Sequence, residues 1–307
     1  MSLVKDALVG IKTRHIWKGF RMKEFSAVIK VFGLLWLIVA AIAMIFAYVI
    51  SLVVGIGFGT MAIIMLLVSI PLAACILAVW NKKLKLKPIV VLHKKMMDEV
   101  KANGYSDEFF RIAEEGIKLN DGSASDFVYF KDFAIYGAEG LLYRDDYTKS
   151  LQYLNMIDLK EIKAKDIAFI DGGRSVITFF VVQMEYCKET GDVARSENVM
   201  RDAKQFLDRF DQKSDDLNVF IDDIYCLYYF INGDYEQSRH YAEKMIDNPL
   251  HQKGKLMLGQ CNLMCVYHKL GDDAKVREYY DEAVRITNET NSKLNYQILE
   301  KAKKDLI

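Results

Sequence analysis

VFGLLWLIVAAIAMIFAYVISLVVGIGFGTMAIIMLLVSIPLAACILAVWN, residues Val31 to Asn81, runs for 51 residues without one Asp, Glu, Lys, Arg or His. A helix crossing a hydrocarbon core of about 30 Å needs roughly 20 apolar residues, so this run is too long for one crossing and right for two with a tight turn. Val31 to Val54 and Met61 to Trp80 flank Gly55-Ile56-Gly57-Phe58-Gly59, whose three glycines supply the backbone freedom a short reversal needs. The expected unit is a transmembrane hairpin spanning 31–81. It starts too far from the chain's first residue, and is several times too long, to be a cleaved signal peptide.

Basic residues lie on both outer flanks and none lies in the turn. Before the hairpin stand Lys5, Lys12, Arg14, Lys18, Arg21, Lys23 and Lys30, and after it Lys82, Lys83, Lys85, Lys87, Lys94 and Lys95. Lys and Arg near span ends are retained in the cytoplasm. Both termini are therefore expected there, in an integral protein of a bacterial-type plasma membrane. Ile11, Ile16, Trp17, Phe20 and Phe25 among the basic residues of 1–30 read as a helix lying in the bilayer interface. Residues 82–95 read as a basic juxtamembrane linker.

The net charge of zero hides an asymmetry. Residues 1–95 carry 13 basic and 2 acidic side chains, or +11, and residues 96–307 carry 28 and 39, or −11. The basic part suits an anionic lipid surface, so the lipid bilayer is one expected partner. An acidic soluble part is a poor nucleic-acid binder, because neutralising phosphates takes clustered positive charge.

Beyond Lys95 the only proline is Pro249, and apolar residues recur three or four apart, as in Phe109, Ile112, Ala113, Gly116 and Ile117. That spacing predicts amphipathic helices, and the fold class is all-α. Ser175 to Val182 is the one run with strand-like composition, and it leads directly into a helical pattern.

The helical part repeats. The turns Tyr143-Arg144-Asp145-Asp146-Tyr147, Glu189-Thr190-Gly191-Asp192-Val193, Ile231-Asn232-Gly233-Asp234-Tyr235 and Lys269-Leu270-Gly271-Asp272-Asp273 each separate two helical patterns. Gly permits the left-handed conformation that ends one helix, and the following Asp caps the next. Four residues after each Asp comes Ser150, Ser196, Ser238 or Val276, and seven after comes Tyr153, Val199, Tyr241 or Tyr279. A small residue followed by a bulky one a turn later gives a close helix-to-helix face.

The segment Tyr228-Tyr229-Phe230-Ile231-Asn232-Gly233-Asp234-Tyr235-Glu236-Gln237-Ser238-Arg239-His240-Tyr241-Ala242-Glu243-Lys244 resembles a tetratricopeptide repeat. So does Val266-Tyr267-His268-Lys269-Leu270-Gly271-Asp272, continued by Tyr279-Tyr280-Asp281-Glu282-Ala283. The resemblance covers most of 127–290. Turn positions 145, 191, 233 and 271 are 46, 42 and 38 apart, against about 34 in the family, so helices are longer or linkers intervene. It implies a tetratricopeptide-like α-solenoid of antiparallel helix pairs over 96–307, whose concave groove holds a protein or peptide partner.

No ligand chemistry stands out. His15, His93, His240, His251 and His268 lack zinc-site spacing, and Gly55, Gly57 and Gly59 lack the Lys-Ser/Thr of a phosphate loop. Gly172-Gly173-Arg174 reads as a linker. Asp215-Asp216, Asp222-Asp223 and Asp272-Asp273 are neighbours that do not share a helix face. Cys75, Cys187, Cys226, Cys261 and Cys265 are an odd number, and Cys261 and Cys265, four apart, read as buried core. No catalytic residue, cofactor or metal is expected. Tyr225, Tyr228, Tyr229, Phe230, Tyr235 and Tyr241 form a dense aromatic cluster, and Tyr228, Tyr229, Tyr235, Arg239 and His268 are the expected partner contacts.

Three functional readings follow: a non-enzymatic membrane-anchored adaptor, a structural or regulatory subunit of a larger membrane complex assembled through the hairpin, or, since fold does not fix function, a membrane enzyme with an unrecognised site. Gly33 and the Ala40-Ala41-Ala43 surface suit close helix packing, within one chain or between copies of a homo-oligomer. The hairpin lacks the charged relay of an ion path.

Overall fold

The computed structural model describes residues 20–306 apart from 56, 86, 120–123, 160–173, 211–214 and 248–252. The interfacial helix read over the first residues, the Gly172-Gly173 linker, Pro249, His15 and His251 lie outside them or largely so. The described residues form 13 helices and no strand. They divide into two units, with the boundary between Val90 and Val91.

The first unit holds α1 (Phe20–Val54) and α2 (Phe58–Lys85). Within them Phe32–Val54 and Phe58–Ile76 are long and apolar enough to cross a membrane. Gly55 takes a φ of 73° at the reversal, and its N–H donates to Ser51 O at 3.1 Å. Ala40 and Ala47 of α1 and Ala62 and Ala73 of α2 are buried, so small side chains make the seam along which the antiparallel helices approach. Gly33 has no neighbour for a Cβ within 4 Å, and Ala41 is exposed, so neither belongs to that seam. Trp36 Nε1 donates to Ser69 Oγ at 2.9 Å, and Ser69 Oγ donates in turn to Leu66 O, which satisfies both polar groups inside an apolar pair. Leu34, Ile38, Ile45, Leu52, Ile63 and Leu67 point outward and remain exposed.

Lys82, Lys83 and Lys85 belong to the end of α2, and His93, Lys94 and Lys95 to α3 (Pro88–Asn103). A proline at the first helical position is pre-set for helix and has no N–H to leave unpaired, which explains a new helix starting at Pro88.

The second unit continues through α4 (Asp107–Lys118), α5 (Ala124–Leu142), α6 (Tyr147–Asn155), α7 (Arg174–Thr190), α8 (Val193–Phe210), α9 (Asp215–Ile231), α10 (Tyr235–Asp247), α11 (Lys253–Leu270), α12 (Asp273–Thr290) and α13 (Lys293–Lys304). Ser106 caps α4 by accepting from Phe109 N, and α4 buries Phe109, Ile112, Ala113 and Gly116 on its periodic face.

The four repeated turns have one geometry. Asp145, Gly191, Gly233 and Gly271 all lie at positive φ, from 58° to 78°. The next residue's N–H returns to the preceding helix at 3.0 Å in each case: Asp146 to Leu141 O, Asp192 to Cys187 O, Asp234 to Tyr229 O and Asp272 to Tyr267 O. The same Asp then caps the following helix, accepting from Lys149 N, Arg195 N, Gln237 N and Lys275 N. Each turn thus satisfies orphan groups of both helices it joins.

Across these turns, residues twelve apart face each other. Ser150 Oγ donates to Ala138 O and Ser238 Oγ to Cys226 O, both at 2.9 Å and both fully buried. Tyr229 stacks on Tyr241 with ring centroids 5.6 Å apart, and Tyr267 on Tyr279 at 5.4 Å.

Sequential helices pack from α4 through α13, and α5, α7, α9, α11 and α13 also pack each on the next. The strand-like run Ser175 to Val182 is helical and buried throughout. The reason is its place: α7 is packed by α5, α6, α8 and α9, and a helix covered on all sides is apolar all round.

Candidate functional site

The five expected partner contacts lie on α9, α10 and α11. Tyr228 OH, near the end of α9, donates to Glu197 Oε1 of α8 at 2.9 Å. Tyr229, one residue on, meets the Tyr228 ring edge-on at 5.4 Å and stacks on Tyr241, which also stacks on Tyr225. Tyr235 meets Phe230 edge-on at 5.6 Å. Arg239 pairs with Glu236 at 2.6 Å and Glu243 at 3.7 Å on its own helix. His268 lies in the last turn of α11. All five are half-buried.

The inner helices converge elsewhere, on a polar centre. α5, α7, α9, α11 and α13 surround a cavity of about 50 Å³. α13 closes it against the turn after α5. Lys301 Nζ donates to Leu142 O at 2.8 Å and pairs with Asp145 at 3.2 Å and Glu189 at 2.7 Å, while Lys304 pairs with Asp145 at 2.7 Å. Lys188 of α7 pairs with Asp305, just beyond α13. At the other end of α13, Gln297 Oε1 accepts from Tyr105 N at 2.9 Å. α13 thus packs against α11 and contributes Ile298, Lys301 and Ala302 to the cavity lining.

Three carboxyls lie about this centre on successive inner helices: Glu139 of α5, Glu185 of α7 and Asp223 of α9. Burial raises all three above the ordinary carboxylate range, and for Glu185 the nearby Glu139 and Asp223 add to the rise. Asp223 is pushed up to about 7. Its Oδ1 accepts from Asn262 Nδ2 at 2.7 Å, but among the described residues Asp223 Oδ2 and Glu185 Oε2 are buried without a hydrogen-bond partner. Burial also raises the Tyr105 and Tyr143 hydroxyls, with the acidic groups reinforcing it. Burial opposes the charge on Lys188, yet Cys265, Asp305 and Glu189 around it hold its ammonium above the usual lysine value.

Sequence periodicity missed this cluster. Two signals were present: Glu185 is embedded in Val-Val-Gln-Met-Glu-Tyr-Cys, and Asp223 in Val-Phe-Ile-Asp-Asp-Ile-Tyr-Cys. A carboxyl amid apolar neighbours on a helix is either at its wet edge or buried with a purpose, and local pattern does not separate the two.

Cys187, Cys226, Cys261 and Cys265 are free and buried, as core residues. Burial pushes the thiols of Cys187 and Cys226 up to about 12 and that of Cys265 to about 11, which leaves them unreactive at neutral pH. Asp132 of α5 joins His93 Nε2 at 2.8 Å and Ser175 Oγ at 3.0 Å, tying α3, α5 and α7 together. The serine hydroxyl goes to the carboxylate, not to the imidazole, so this is not the serine-to-base contact of acyl transfer. Among the described residues no three His, Cys, Asp or Glu side chains come together as a metal-ligand set.

No protein-family model matches the chain, and comparisons with curated proteins and with solved structures found no match either.

Proposed function

We propose that the chain is a membrane-anchored adaptor, with α1 and α2 as a two-span anchor, both termini cytoplasmic, and the second unit a tetratricopeptide-like solenoid that binds a protein or peptide. The observation that supports this reading is the fourfold recurrence of one turn geometry, with facing positions twelve residues apart on either side of it. Stacked helix pairs of that kind are a binding architecture. With α13 on the inner face, the partner surface is the end of the α9–α10 and α11–α12 pairs, where Tyr228, Tyr235, Arg239 and His268 stay partly accessible.

A photo-crosslinking residue placed at Tyr228 or Arg239 in the full chain in its native membrane tests this. Capture of one soluble protein, lost in an Arg239→Glu variant that keeps its fold, supports the adaptor. The second reading, a subunit of a larger membrane complex, is favoured by the outward-facing side chains of the hairpin, such as Leu34, Ile45 and Leu67. Crosslinks from those positions to another membrane protein, or to a second copy, and none from Tyr228 or Arg239, would replace the first reading by the second.

A further inference from the structure

We propose that the cavity lined by α5, α7, α9, α11 and α13 is a binding site for a small primary ammonium ion, held between Glu185 Oε2 and Asp223 Oδ2. The site goes beyond the adaptor reading and does not depend on it.

The inference starts from which charges are already paired. Five carboxyls lie at the cavity or behind its wall: Glu139, Glu185, Glu189, Asp223 and Asp305. Two lysines face it, and both are committed: Lys301 to Glu189, Asp145 and the Leu142 carbonyl, Lys188 to Asp305 and Glu189. Glu139 accepts from the Tyr105 hydroxyl. Asn262 serves only one oxygen of Asp223. What is left over is two acceptor oxygens, one each on Glu185 and Asp223, with no donor among the described residues. Asp223 is 1% exposed and lines the cavity, as Glu185 does.

A buried acceptor without a donor is costly, and a buried anion more so. An occupant with positive charge and N–H donors satisfies both oxygens once the carboxyls are ionised, which their raised values place near and above neutral pH. The cavity's size sets its scale: about 50 Å³ has room for roughly four water-sized groups, at 10–15 Å³ each. Its wall sets its character. Leu227, Leu258 and Ile298 line one part, which suits the methyl or methylene of a short amine and not a hydrated metal ion. Protons compete with the ammonium for the same oxygens. The groups that set this competition are Glu139 from α5, Glu185 and Glu189 from α7, Asp222 and Asp223 from α9, Cys261 and Cys265 from α11, Asp305 beyond α13, Tyr105 and Tyr143 from the turns, and the cations Lys188 and Lys301.

The test is thermal unfolding of the full chain in detergent, followed by circular dichroism at pH 8 in an amine-free buffer. Chloride salts of methylammonium, sodium, potassium and tetramethylammonium are compared at one ionic strength. At tenfold over its Kd, methylammonium should raise Tm by about 3–6 °C above tetramethylammonium, which has no N–H to donate. The rise should vanish in the Glu185→Gln/Asp223→Asn double variant and shrink at pH 5, where protons fill the site. Equal Tm in all four salts overturns the proposal, as does a rise that survives in the double variant. A rise as large in sodium or potassium overturns it in favour of a metal cation. If the double variant does not fold, equilibrium dialysis of labelled methylammonium against the unmodified chain decides. Saturable uptake of one equivalent at pH 8, lost at pH 5, upholds the site, and no saturable uptake rejects it.

Discussion

Asp223 sets how the second unit responds to pH. Burial holds its folded-state carboxyl near 7, above the ordinary Asp value of 3.8, so the folded chain keeps a proton that the unfolded chain has lost. Its contribution is full below about pH 4 and is lost as pH rises through 7, at up to about 1.4 kcal/mol per pH unit. Asp223→Asn keeps an acceptor for Asn262 and removes the titration. In amine-free buffer its Tm should therefore fall less than that of the unmodified chain between pH 5 and 8, as measured by circular dichroism. Gly116 is a residue-scale constraint of another kind. A Cβ there would lie 2.5 Å from ring atoms of Phe133, which is fully buried. Overpacking costs about 1–3 kcal/mol and outweighs the gain of up to about 1 kcal/mol in helix propensity. Gly116→Ala should lower Tm by roughly 2–4 °C for each net kcal/mol lost.

The elements are joined by a turn whose parts have separable energies. At Gly191, Gly233 and Gly271 an added Cβ would meet nothing within 4 Å, so the cost of an alanine there is backbone strain alone, about 1–2 kcal/mol, and similar at all three. Asp234→Ala removes the cap at Gln237 N and should cost about 1 kcal/mol. The double variant Gly233→Ala/Asp234→Ala, compared with the two single variants by urea unfolding, should show non-additive losses, because both residues serve one hydrogen-bonded turn. In the hairpin, Ser69→Ala leaves Trp36 Nε1 without its acceptor. A loss of about 0.6 kcal/mol, to 1.7 at most, is expected for an inter-helix hydrogen bond in apolar surroundings. A Trp36 fluorescence shift in detergent would report it.

At the scale of the whole molecule, α13 is the closing piece of the second unit. It covers Cys265, whose Sγ lies 3.9 Å from Ala302 O, and it shares an apolar cluster with Met257, Cys261, Met264 and Ile286. Removing residues 293–307 should open the thiols of Cys261 and Cys265 to a hydrophilic maleimide while Cys187 and Cys226, buried against other helices, stay protected. Mass spectrometry of the labelled chain reads this directly. The turn between α1 and α2 offers a matching test of orientation. With both termini cytoplasmic, as proposed, a cysteine at Gly57 should label only from outside the cell, and one at an exposed position of the second unit, such as Asp273, only after permeabilisation.

The charge-free run from Val31 to Asn81 determined the apolar hairpin, because a helix satisfies its own backbone and needs only length and apolar side chains to be read. The four turns were equally legible, since left-handed backbone and an Asp cap are local chemistry, and Ser150 and Ser238 could be placed at close helix approaches from spacing alone. The strand-like run Ser175 to Val182 was harder: its apolar excess reflects neighbours on every side, which no short window contains. The polar centre lay beyond sequence reasoning altogether. Lys301 meets Leu142 across 159 positions and Gln297 meets Tyr105 across 192. Whether Glu185 and Asp223 face bulk water or line a cavity between helices depends on those long-range contacts. Only the tertiary structure decided that α13 packs beside this cavity and that, among the described residues, one oxygen each of Glu185 and Asp223 is buried there without a donor.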